Sequence, residues 1–207
     1  MIIGICGGSG SGKTTLLKRI SETYAHLQPS VFSMDNYYLP IGNQAIDDNG
    51  KVNFDLPSAL DERKLIDDLY RLINGEHIHV KEYHFNAPPD LDTTVIIRPS
   101  QLIIVEGLFL FHYEMVRAVI DLSIFISVHP ETQLDRRLLR DQTTRGYSKE
   151  DIMYQWEHHV MPCYKNYLLP YASFADFRFR NDEHADKDFG ELVKLIDKRL
   201  EQVDVSS

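Results

Sequence analysis

Ile2-Ile3-Gly4-Ile5-Cys6-Gly7-Gly8-Ser9-Gly10-Ser11-Gly12-Lys13-Thr14-Thr15-Leu16-Leu17-Lys18-Arg19-Ile20 is the stretch that decides how the rest of the chain is read. The apolar, β-branched run Ile2–Cys6 has the character of a buried strand, and Thr15–Ile20 that of a helix. Between them, residues 7–14 match the pattern G-x-x-x-x-G-K-[ST] in the strand–turn–helix context it requires. The glycines allow a tight backbone whose N–H groups reach phosphate oxygens, and the helix N-terminus adds a favourable dipole. Lys13 supplies a point charge, and the Thr14 hydroxyl is placed for a magnesium ion. Gly7, Gly8, Ser9, Gly10, Ser11, Gly12, Lys13, Thr14 and Thr15 are therefore the candidate nucleoside triphosphate-binding residues.

Outward from this loop, short apolar runs alternate with helical patterns, which predicts a parallel sheet wrapped by helices. Ser30–Met34 reads as the second strand, ending at Asp35, and a polar stretch follows to about Phe54. Ser58–Leu72 has apolar residues at helical spacing. Ile78–Tyr83 and Thr93–Ile97 flank the break Ala87-Pro88-Pro89-Asp90; the connection is too short for a crossover helix, so 77–98 is expected as a β-hairpin off the main sheet. Leu102–Val105 is a continuous apolar run suited to a strand buried on both faces, and it ends in Glu106-Gly107. Leu122–Val128 is another strand, Pro130 starts a helix, a second helix is expected over Lys149–Leu168, and Phe174–Phe179 alternates as an edge strand. A last helix spans about Asp188–Gln202. The expected fold class is α/β, a P-loop NTPase-type sheet with a β-hairpin and a helical lid over about 137–160, all in one domain, 1–207.

The chain has 207 residues and a formal net charge of −9, which excludes a general nucleic-acid binder. An anionic substrate must then be held by local clusters of Lys and Arg. Two cysteines, Cys6 and Cys163, give no disulfide framework or zinc spacing, and Cys6 reads as a small core residue. No apolar run approaches a membrane span and the N-terminus shows no secretory pattern, so no membrane is expected and the cytoplasm is the expected compartment.

Ligands of open parallel α/β sheets gather at the carboxyl ends of the strands. Asp35 and Glu106 both fall there, beside the glycine loop, and phosphoryl transfer needs a cradle, a metal carboxylate and a carboxylate for the acceptor hydroxyl. Arg136, Arg137, Arg140 and Arg145 form a second constellation at helical spacing, suited to closing over phosphoryl oxygens; the competing reading is a solvated face paired with Asp135 and Asp141. His77, His79, His84 and His158-His159 lack the spacing of a zinc site and read as surface or hydrogen-bonded histidines.

GGSGSGKTT, SMDNYYLP, NFDLPSALD, KEYHF, LIIVEGLFLF and RRLLRDQTTRG, with Gln155 downstream, occur in that order over Ile2–Asp176. Together they resemble the uridine kinase (uridine–cytidine kinase) group of P-loop kinases, related to phosphoribulokinase. The resemblance implies transfer of the γ-phosphoryl of ATP or GTP, with Mg2+, to the 5′-hydroxyl of uridine or cytidine in pyrimidine salvage. It implies Asp35 as catalytic base near the metal, with Lys13, Arg140 and Arg145 acting on the triphosphate. Asp55 would hold the ribose, Tyr83 would pack on the nucleoside, Arg137 would contact it, Gln155 would touch the sugar, and Glu106 with Thr14 would hold magnesium. The implied partners are a small-molecule nucleoside and a nucleoside triphosphate, and the implied assembly is a homo-oligomer, often a tetramer.

Two positions depart from the group's pattern: Pro88 stands where it carries a base-reading histidine, and Tyr147 where it often carries an arginine. A kinase of another ribosylated small molecule, such as nicotinamide riboside, is the nearest alternative, since LIIVEGLFLFHY and HHVMPCYKNY resemble that pattern too. A nucleotide-sensing protein or GTP switch is the alternative of another class. Asp47-Asp48-Asn49-Gly50 superficially fits D-x-x-G, but the sequence has no N-K-x-D.

Overall fold

The computed structural model describes residues 1–84 and 93–204. In chain order the elements are β1 (Ile2–Gly7), α1 (Lys13–Thr23), β2 (Ser30–Ser33), β3 (Ala45–Ile46), β4 (Val52–Asn53), α2 (Glu62–Ile73), β5 (Ile78–Lys81), β6 (Thr94–Ile97) and β7 (Ile103–Gly107). They continue as α3 (Glu114–Arg117), β8 (Leu122–Ser127), α4 (Pro130–Thr144), α5 (Lys149–Gln155), α6 (Met161–Cys163), β9 (Phe177–Arg180) and α7 (Ala185–Asp204).

β2-β7-β1-β8-β9 form a five-stranded sheet, parallel at every pairing. β9 is an edge strand, as its alternation predicts, and β7 lies inside the sheet between β2 and β1. Side-chain alternation divides the core into two layers. Ile3, Ile5, Ile104, Ile124 and Ile126 pack with Leu16 and Ile20 of α1 and Leu192 and Ile196 of α7. Cys6, Phe32, Val105 and Phe125 pack on the other face with Leu65, Leu69 and Leu72 of α2. Both faces are covered, so the strands carry continuous apolar runs. Among the described residues no helix is long and apolar enough to cross a membrane.

Pairing is in register Ser33↔Glu106 and Ile5↔Glu106, so β2, β7 and β1 end side by side. β5 and β6 make a separate antiparallel ribbon, as expected for 77–98. Its break at Ala87–Asp90, with Phe85, Asn86 and the departure at Pro88, lies outside the described residues.

Several elements differ from the sequence expectation. The polar stretch before Phe54 contains the small β3–β4 hairpin. α2 starts at Glu62, not Ser58, because the Asp61 carboxylate caps it by accepting the Lys64 N–H at 3.0 Å. The edge strand begins at Phe177 and the last helix at Ala185. The expected helix 149–168 is not uniformly α: α5 passes into a π segment, Trp156–Val160, then α6, then a second π segment, Tyr164–Leu168. Pro162 sits in α6, where it gives no N–H and crowds the preceding turn; the wider turns on either side take up that register.

Candidate active site

The loop from Gly7 to Gly12 joins β1 to α1 with Gly10 and Gly12 at φ 79° and 99°. Both are left-handed conformations that favour glycine. A Cβ at Gly10 would meet the Gln133 carbonyl at 2.7 Å, and one at Gly12 would collide with the Asn181 amide. The loop is thus held between α4 and the turn after β9. Asn181 Nδ2 donates to the Ser11 carbonyl at 2.6 Å. Helix α1 has no side-chain cap and no acid in its first turn, which leaves its N-terminus open to an anion. Lys13 Nζ donates to the Gly7 and Gly8 carbonyls at 3.1 and 3.4 Å, leaving one of its three donors.

Ser9, Gly10, Lys13 and Thr14 line an open cavity that also holds Asp35, Asp55, Glu106, Arg137, Arg140, Arg145 and Gln155. The structure therefore brings most of the sequence candidates to one place, while Gly7, Gly8, Ser11 and Gly12 belong to the loop but not to this lining. Thr15 is exposed on α1 away from the lining. Tyr83 lines an adjoining groove, which reaches Thr14, Asp35 and Glu106.

Glu106 is 6% exposed, and its Oε1 accepts the Ser33 hydroxyl at 2.6 Å, a contact set by the Ser33↔Glu106 register. Burial pushes its carboxyl above the ordinary value and the nearby Asp35 adds to this, while Lys13 and the Ser33 bond oppose it. The Asp35 N–H donates to Ser33 Oγ at 3.3 Å, so one serine links both acids. Two carboxylates and the Thr14 hydroxyl lining one cavity are the hard oxygen donors that Mg2+ takes, and the residues fit that ion.

Across the cavity, the arginine constellation is narrower than its spacing suggests. Arg137, Arg140 and Arg145 converge on Asp141, which is fully buried: Arg140 Nε lies 2.7 Å and Arg137 Nε 3.3 Å from its carboxylate, and Arg145 Nη1 3.4 Å. This replaces the solvated-face reading, because a fully buried carboxylate holds guanidiniums far more firmly than an exposed one. Arg136 does not join them. It is exposed and donates to the Asn181 carbonyl at 3.2 Å. Arg137 Nη1 and Arg140 Nη2 also donate to Ser9 Oγ at 2.9 and 3.4 Å, tying α4 to the loop. Burial lowers the Arg145 value, aided by Arg140 and opposed by Asp141.

The far wall is built by Asp55, Gln155, Tyr38, Phe54 and Tyr147. Asp55 is 9% exposed, and no described residue donates to its carboxylate. Burial raises its carboxyl, while Arg137, His159 and Arg145 oppose that. Gln155 Oε1 accepts from Arg137 Nη2 at 2.7 Å. Tyr38 contacts Phe54 edge-on at 6.0 Å and Tyr83 at 5.1 Å, and the Tyr83 N–H is tied to Asn36 at 3.0 Å. These aromatic faces beside acids suit a flat ring on a polar sugar.

Sequence reading passed over Asp141 except as a surface partner, and gave His159 no place in the site. His159 is 3% exposed and lines the cavity. Its partner Asp47 is 112 residues away, a proximity that no local pattern announces. Cys6 is core as expected, its thiol pushed up to about 12 by burial.

The model of the phosphoribulokinase / uridine kinase family matches residues 2–186. The chain is 37% identical over 186 residues to a uridine kinase of Borrelia duttonii (strain Ly), covering 90% of this chain and 89% of that one. It is 31% identical over 176 residues to a uridine kinase of Clostridium perfringens (strain SM101 / Type A), covering 85% of each. A solved structure described as a possible uridine kinase from Bacillus stearothermophilus shares the fold with a TM-score of 0.61 at 18% identity, over 86% of this chain and 88% of that one.

Proposed function

The chain belongs to the phosphoribulokinase / uridine kinase family, a phosphotransferase to a hydroxyl group, and from that premise we propose that it is a pyrimidine ribonucleoside kinase. It transfers the γ-phosphoryl of ATP or GTP to the 5′-hydroxyl of uridine or cytidine. The observation that carries this reading is the cavity that the glycine loop and Lys13 line together with Asp55, a buried carboxylate to which no described residue donates. A triphosphate cradle sharing a cavity with an acid matched to a ribose diol describes a riboside kinase more closely than a nucleotide switch.

In this mechanism the loop N–H groups and Lys13 hold the β- and γ-phosphates. Asp55 and Gln155 orient the ribose so that its 5′-oxygen faces the γ-phosphorus near Asp35. Asp35 takes the 5′-hydroxyl proton as the O–P bond forms and the bond to the bridging β–γ oxygen breaks. Arg140 and Arg145 stabilise the spreading negative charge, and Arg137 aligns Gln155. Thr14, Glu106 and Asp35 would hold Mg2+, which neutralises phosphate charge when bound.

Tyr147, an aromatic residue in the acceptor wall where the group often has an arginine, favours a second reading. A cationic nicotinamide ring would gain from Tyr147, Tyr38 and Phe54 beside two acids. A panel of ribonucleosides tested with each triphosphate and Mg2+ separates the two. The expected result is conversion of uridine and cytidine to 5′-monophosphates, one triphosphate consumed per product. Phosphorylation of nicotinamide riboside with none of uridine or cytidine would overturn the pyrimidine assignment. Slow triphosphate hydrolysis unstimulated by any riboside would overturn the riboside acceptor altogether. A homo-oligomeric assembly is part of the same proposal, and light scattering tests it.

A further inference from the structure

Asp47 opens the β3–β4 turn, and this turn is fastened to the segment that carries the acceptor wall. Asp47 Oδ1 accepts the N–H groups of Asn49 and Lys51 at 2.9 and 2.8 Å. Its Oδ2 accepts the Tyr154 hydroxyl at 2.7 Å and meets His159 Nε2 at 2.7 Å. A carboxylate serving three such donors is ionised and acceptor-only, so the proton in the fourth contact belongs to Nε2. That fixes the ring's tautomer and orientation, as carboxylates do for functional histidines elsewhere. The neutral ring then has Nδ1 as a hydrogen-bond acceptor, and no described residue uses it. The ring lines the cavity shared by Asp55 and Gln155.

A histidine serving only to fill the core needs no ionised partner, whereas His159 has its Nε2 fixed by Asp47 and lines the acceptor cavity. We infer that His159, oriented by Asp47, is a further acceptor-site residue whose Nδ1 takes a hydrogen bond from a ribose hydroxyl next to that held by Asp55. The inference rests on the riboside acceptor proposed above. It gives the β3–β4 turn a part in substrate selection, since Asp47 sets the aim of the ring.

The test measures kcat/KM of the full chain and of His159→Phe and His159→Gln on the preferred riboside of the panel and on its 2′- and 3′-deoxy counterparts. Phe removes both nitrogens; Gln keeps an amide donor for Asp47 without the Nδ1 acceptor. With the Nδ1 contact present, the preference for the ribo form over one deoxy form falls about tenfold in both variants, and that deoxy form itself is turned over almost as in the parent. Equal losses on ribo and deoxy substrates, or no loss at all, would overturn the inference and leave His159 a packing residue. A parent protein that phosphorylates no riboside fails one step earlier, at the proposed function. Should His159→Phe not fold, judged by its unfolding midpoint, the His159→Gln ratios decide alone.

Discussion

Glu106 lies buried at the end of β7 beside Asp35, and its proton balance links stability to turnover in opposite senses. Its folded value is raised above the ordinary carboxylate value of 4.5, so between those two values the folded chain holds more protons than the unfolded one. Stability from this group is complete below the unfolded value and is lost as pH rises through the folded one. Glu106→Gln removes that loss. At pH 8 without divalent cation the variant should unfold at a higher temperature than the parent, with the gap closing toward pH 4. Turnover should fall roughly 10²-fold, since a metal-held phosphate supplies several kcal/mol to the transition state. A variant no more stable than the parent at pH 8 would deny the burial penalty. Asp35 gives the complementary case. Asp35→Asn should lower kcat by roughly 10²- to 10⁴-fold, the range of a positioned general base, with little loss of triphosphate affinity measured by displacement without divalent cation. A near-normal kcat would remove Asp35 from that role.

Elements whose apolar pattern matches a buried face were legible in the sequence, and those fixed by distant partners were not. Ile2–Cys6 and Leu102–Val105 announce β1 and β7 because both faces of those strands are covered. The glycine loop, Asp35 and Glu106 could be placed because strand ends and motif spacing locate them, whereas Asp55 came only with the family resemblance. The β3–β4 hairpin could not: its two-residue strands carry no period, and its turn is held by Tyr154 and His159 more than a hundred residues on. The π segments escape for a related reason, since Trp156 and Leu168 keep a helical pattern while Pro162 resets the register between them. The convergence on Asp141 was hidden because spacing shows which arginines share a face but not that the carboxylate among them is fully buried. The docking of the hairpin predicts an effect confined to the acceptor. Tyr154→Phe deletes one donor to Asp47 and loosens the turn against α5, so acceptor KM should rise roughly severalfold with triphosphate KM unchanged. Lys51→Ala breaks the exposed pair with Asp151 at 2.9 Å and should change neither, because such pairs are screened by solvent. Parallel changes in both KM values for Tyr154→Phe would mean that the hairpin supports the whole cavity.

At the scale of the whole molecule, a chain of net charge −9 has to collect a polyanion. Lys13, Arg137, Arg140 and Arg145 are matched within the site by Asp35, Asp55, Glu106 and Asp141, so the excess negative charge lies on the rest of the surface. The triphosphate then meets attraction at close range, from cations aimed into the cavity, and repulsion at long range. Salt separates these by distance: the Debye length is about 30 Å at 0.01 M, about 10 Å at 0.1 M and about 3 Å at 1 M. Lowering salt to 0.01 M exposes the approaching anion to the global field, and raising it to 1 M weakens the arginine and lysine contacts themselves. Triphosphate KM, measured at constant free Mg2+, should therefore pass through a minimum near 0.1 M, whereas KM for the neutral riboside should stay nearly flat. A triphosphate KM that keeps falling down to 0.01 M would show that the site's own cations outweigh the surface at every range.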